Sequence, residues 1–139
     1  MSLATSDAGG LWVADVTYVS DDLTVYWPSH PLVRHSRALE RNPFVAGSIT
    51  LNTEPHQLDK GLQFSGVARR FRDDSTRVLP LYNKKRKNDE DVSLPQDFVW
   101  YCLQLTLIDL IYEPLFGKEK KSFEGICSAL LVRNRFSQD

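Results

Sequence analysis

Ser29 to Pro43, SHPLVRHSRALERNP, carries helix punctuation at both ends. Ser29 predicts an N-cap, and Pro31 suits a first turn, where a missing N–H costs no hydrogen bond. Leu32, Ser36 and Leu39 fall on one face at helical spacing, with Leu32 and Leu39 as its anchors. Arg34, His35, Arg37, Glu40 and Arg41 surround the rest. Pro43 stops the run by pushing Asn42 out of the α region. A helix start offers unpaired backbone N–H groups and the positive end of the dipole, and Arg34 and His35 add donors about one turn in. The combination predicts a phosphate site.

Outward from this helix the chain reads as strands. Leu3-Ala4-Thr5, a Ser-Asp-Ala-Gly-Gly turn, Leu11 to Val19 and the set Leu23, Val25 and Trp27 predict a β-meander. Within Leu11 to Val19, the residues Trp12, Ala14, Val16 and Tyr18 share a drier face, opposite Asp15 and Thr17. After the helix come Val45 to Leu51, with Gly47 at a bend or close approach, and Gly61 to Phe71, with Gly66 marking a bulge or a ligand's approach. Asp74-Ser75 predicts the cap of a short second helix carrying Val78, Leu79, Leu81 and Tyr82, with Pro80 inside it. Phe98 to Tyr112 reads as a long central strand, and Phe123 to Val132 as a last one. One clear helix among six or seven strands predicts a mainly β fold, an antiparallel barrel or closed sheet with one or two short helices.

With 139 residues, 42% hydrophobic and 25% charged, the chain suits one domain. Its net charge of -1 supplies no field for nucleic acid. The run Lys84 to Lys87 is cancelled at once by Asp89, Glu90 and Asp91 and reads as a solvated loop. No apolar run is long enough to span a bilayer and no signal peptide opens the chain, so a cytoplasmic protein is expected. Cys102 and Cys127 lie in apolar segments and read as buried thiols. His30, His35 and His56 have no metal-ligand spacing, and no nucleotide-loop, zinc or nucleophile-elbow motif is present.

As an ordered set, LATSDAGGLWVADVTYVSDDLTVYWPS, the helix ending in LERNP, VAGSITL and GLQFSGVARR resemble the split-barrel flavin proteins of the pyridoxamine 5′-phosphate oxidase-like superfamily. The resemblance covers Leu3 to Phe71. The later segment LPQDFVWYCLQLTLIDLIYEPLFGKEK is similar to a small branch of that superfamily. The resemblance implies a homodimer with FMN at the subunit interface and a small-molecule substrate. It places Arg34 and His35 on the FMN phosphate, with His35 standing where the oxidases have lysine. Ser29 matches the hydroxyl residue at the phosphate and Pro28 the residue before it, with Trp27 adjacent.

The same resemblance lays Val13 to Tyr18 along the flavin ring, so that backbone near Val16 and Thr17 meets its polar edge. Lys60 and Gly61 stand where the oxidases have an Arg-Gln pair, and Gln63 supplies an amide two residues on. Val13 and Tyr18 replace two cations of the oxidases. Their C-terminal tryptophan and arginine motif has no counterpart, so a true pyridoxamine phosphate oxidase is not expected. The chain also opens almost directly at the first strand, where the superfamily usually has a helix. Two functions remain open at this point: a flavin-dependent oxidoreductase, or a non-catalytic or cofactor-free barrel holding flavin, haem or another flat ligand for storage or sensing.

Overall fold

The computed structural model describes residues 1–51, 54–72, 76–87 and 92–124. Its strands are β1 Ser2–Asp7, β2 Gly10–Asp15, β3 Val19–Asp21, β4 Thr24–Ser29, β5 Phe44–Thr50, β6 Lys60–Arg70, β7 Val99–Tyr112 and β8 Lys120–Glu124. Three short helices interrupt them: α1 Arg34–Leu39, α2 Val78–Arg86 and α3 Glu113–Phe116. All pairings are antiparallel, in the order β2-β1-β5-β6-β7-β4-β3, with β8 added to β7. Among the described residues the sheet is not closed by hydrogen bonds. Between β1 and β4, which are not sheet neighbours, α1 inserts Leu39 into the core beside Leu3 and Trp27.

Alternation along the strands sorts two apolar clusters to opposite faces. Val25 and Trp27 of β4 and Tyr101, Leu103 and Leu105 of β7 enter the barrel core. Tyr26, Trp100 and Cys102 point the other way and pack with Val78 of α2. A bulge on β7 preserves this sorting. Ser65 faces Leu107 and Gly66 faces Leu105, so Thr106 is the extra residue, and its hydroxyl donates to the Ser65 carbonyl at 3.2 Å. Past it the inward parity shifts, and Ile108 joins the core. At the same place β7 exchanges its edge partner: Val99 to Gln104 pair with β4, and Leu107 to Ile111 with β8. The bulge near Gly66 thus forms with its additional residue on the opposite strand. A Cβ at Gly66 would collide with the Gln104 carbonyl, and one at Gly47 with the Ser2 carbonyl, the close approach expected there.

Several boundaries differ from the sequence reading. The first helix begins at Arg34, because Ser29 still pairs with Val99 as the last residue of β4 and its hydroxyl turns to His35 instead of a helix amide. Leu32, read as an inward anchor, lies in the turn before α1 and is 72% exposed, whereas Ser36 and Leu39 are buried. Leu11 to Val19 divides into β2 and β3, and Trp12 is 43% exposed. Lys84, Lys85 and Arg86 form the end of α2, with Lys87 closing it at φ 55, so the basic run is helical. Pro80 sits in the first turn of α2, where it is tolerated. Asp74-Ser75, Cys127 and the last strand beyond Glu124 fall outside the described residues.

Candidate cofactor site

Arg34 and His35 open α1, and one helical step of about 100° sends them to different neighbours. His35 turns to β4, its Nε2 2.9 Å from the buried Ser29 hydroxyl, to which Ser36 also approaches at 3.4 Å. Burial pushes the His35 pKa below the ordinary imidazole range, so the neutral ring is favoured. Arg34 turns to the β1–β2 connection. Its Nε and Nη2 donate to the two oxygens of Asp7 at 2.8 and 3.0 Å, while its guanidinium lies 4.7 Å from the Trp12 ring centre. The guanidinium's hydrogen bond holds the Asp7 carboxyl below the usual carboxylate range. Asp7 also accepts the Gly9 N–H at 2.8 Å, which fixes the turn.

Beside this pair lies an open groove of about 650 Å³ lined by Asp7, Gly9, Arg34, Arg37, Glu40 and Arg41. Three arginines face two carboxylates there, an excess of positive charge. No side chain caps α1, so the amides of its first turn have no side-chain acceptor. A phosphate group fits this chemistry, with Arg34, Arg37 and Arg41 as its charged donors. Local spacing did not reveal Asp7, Trp12 and Arg41 as parts of the site. Asp7 reads in sequence only as a turn former, and its partner stands 27 residues away.

The remaining expected residues do not gather here. Val16 exchanges backbone hydrogen bonds with Met1, and Thr17 is exposed. Both lie at the Ser2 end of β1, as do Lys60 and Gln63, since Ser2 faces Ser48 and Ser48 faces Gln63. Asp7 is at the other end, about 17 Å away along a strand of this length. Around Lys60 and Gln63 a smaller hollow of about 270 Å³ opens, where Gln63 accepts a hydrogen bond from the Lys120 ammonium at 2.7 Å. Trp27 is fully buried, stacked on Tyr101 with ring centres 5.6 Å apart, and offers no face to a ligand. Pro28 is half-buried beside Ser29. Among the described residues no group of histidine, cysteine and carboxylate side chains is arranged to hold a metal ion, and no helix is long and apolar enough to cross a membrane.

The fold is similar to that of solved structures. A haem binding protein from Mycobacterium smegmatis aligns with 93% of this chain at TM-score 0.69 and 19% identity, the alignment spanning 54% of that protein. This chain is therefore about half its length. HutZ, the haem storage protein from Vibrio cholerae, aligns with 88% of the chain over 83% of its own, at TM-score 0.59 and 26% identity. A Listeria innocua protein named as a pyridoxamine 5′-phosphate oxidase aligns with 79% of the chain over 86% of its own, at TM-score 0.61 and 20% identity. The fold is a pyridoxamine 5′-phosphate oxidase-like split barrel. No family model and no curated protein matches the sequence. Proteins of this fold include flavin- and haem-binding members, and in the present split barrel the helix that closes the gap between β1 and β4 carries the cationic groove.

Proposed function

We propose that this split barrel binds FMN between two copies of the chain and works as a flavin-dependent oxidoreductase on a small molecule. The observation that carries the reading is the groove at α1, where Arg34, Arg37 and Arg41 outnumber Asp7 and Glu40 beside the Ser29–His35 pair. In the proposal Arg34 and its neighbouring arginines hold the phosphate, and the backbone near Val16 and Thr17 of the second copy borders the ring. Lys60 and Gln63, at the far end of β1, are contributed by the second copy. Bound FMN supplies hydride and single-electron transfer, while the chain positions it and excludes water.

The face that a second copy would cover is unusual for an open sheet. The outward residues of β1 and β5 are Ser2, Ala4, Ser6, Phe44, Ala46, Ser48 and Thr50, none of them charged. Leu11 and Val13 of the edge strand β2 and Phe44 of β5 extend it with apolar side chains that are 83%, 60% and 69% exposed. Small side chains permit close approach and the apolar ones gain from being covered. These features support a homodimer.

A second reading, a barrel that holds flavin, haem or another flat ligand without turning it over, is supported by neutral His35 in place of a fixed cation. For haem His30 is less suited: its Nδ1 accepts the Leu32 N–H at 3.1 Å, which leaves the ring proton on Nε2. The test is the visible spectrum of the purified protein followed by anaerobic addition of NADH or NADPH. Flavin bands that bleach support the oxidoreductase. A bound flavin that neither donor bleaches supports the binding protein, and a Soret band overturns the choice of FMN.

A further inference from the structure

Arg34 is already held by an anion of its own chain. Asp7 takes its Nε and Nη2 side-on, both oxygens engaged, which is the geometry a guanidinium offers to two oxygens of a phosphate. The carboxylate is anchored independently by the Gly9 N–H, and the guanidinium rests against Trp12. The turn that carries Asp7 therefore presents a fixed carboxylate to the residue best placed to bind a ligand's phosphate. Arg37 and Arg41 open on the same groove, and among the described residues no ion pair engages either of them.

Resting on the FMN reading above, we propose that Asp7 is a resident counter-ion that the flavin's phosphate must displace from Arg34, so that Asp7 weakens the binding of a phosphate ester and leaves a phosphate-free analogue unaffected. The pair is solvent-accessible, with side chains 38% and 22% exposed, and such pairs are weak and screened, so exchange is open to a stronger anion. A phosphate dianion meets Arg34 together with Arg37 and Arg41, and gains more from the three than one carboxylate gains from Arg34 alone. A ligand without a phosphate does not use Arg34 and needs no exchange. Asp7 thus lowers the affinity for every ligand that uses Arg34.

The test is titration of FMN and of riboflavin, which lacks the phosphate, into the full chain, Asp7→Asn and Asp7→Ala, with folding checked by circular dichroism. Asp7→Asn keeps an acceptor for the Gly9 N–H, and Asp7→Ala removes it. Both variants are expected to bind FMN about fivefold or more tightly than the unmodified chain, with riboflavin affinity changed by less than about twofold. Unchanged or weaker FMN binding in both folded variants overturns the proposal, since Asp7 would then orient Arg34 for the ligand. Equal tightening of riboflavin also overturns it. If the unmodified chain and both variants all fail to bind FMN, the FMN reading falls and this exchange with it. If all bind FMN equally well, the FMN reading stands and only the exchange fails.

Discussion

The two faces of β1 and β5 come from the same alternating segments and have opposite fates. Leu3, Thr5 and Val45 point inward and are buried, Leu3 and Val45 in one cluster with Trp27, Phe64 and Leu103. Ala4, Ser6, Phe44 and Ala46, between them in sequence, point outward, and no described residue buries them. A solvated sheet face ordinarily carries charge. Here it carries small and apolar residues, which in our reading are the contact for a second copy. The inward face makes the barrel, and the outward face in our reading makes the dimer on which the cofactor site depends.

The largest expected effect is on the inward side. Leu103→Ala, at a fully buried position, is expected to destabilise the fold by about 2–5 kcal/mol, through lost burial and the cavity left behind. Urea denaturation measures it, and a loss below about 1 kcal/mol would mean that the core repacks freely there. An outward change should separate assembly from folding. Ala46→Glu is expected to alter the stability of the chain itself by no more than about 0.5 kcal/mol, while light scattering shows a monomer where the unmodified chain gives a dimer. A mass unchanged by Ala46→Glu would place the dimer contact elsewhere.

The smallest effect lies at the rim between the two faces. His35 has its pKa lowered by burial, so the folded state binds a proton less readily than the unfolded state. Stability from this group is therefore present above the ordinary imidazole pKa of about 6.5 and falls as the pH drops through that range toward the lower folded value. Thermal melts between pH 8 and 5 should show this decline, and His35→Asn should flatten it. A chain whose melting temperature rises on acidification in a His35-dependent way would contradict the neutral, buried ring.

The alternating faces were legible in the sequence because strand alternation is a local signal. Val25 and Trp27 read correctly as one face, and the long strand to Tyr112 was visible as a branched and aromatic run. What failed depended on distant pairing. Ser29 has every local mark of a helix cap, yet β4 runs on to it because Val99 stands opposite. Gly66 signalled a bulge, but the additional residue, Thr106, lies on the strand it faces. The candidate site shows the same division. Arg34 and His35 were found as neighbours at a helix start, whereas their divergence, to Asp7 on one side and Ser29 on the other, exists only once β1 and β4 flank the helix. Trp27 looked available beside Pro28 and Ser29, and the stack on Tyr101 removes it.

The most direct test of the account is an FMN titration followed by quenching of flavin fluorescence, on the unmodified chain and on Arg34→Ala. The account predicts saturation at one flavin per chain with a Kd at or below about the micromolar range, and binding weakened at least about tenfold by Arg34→Ala. No saturable binding by the unmodified chain, or equal binding by the variant, would contradict it.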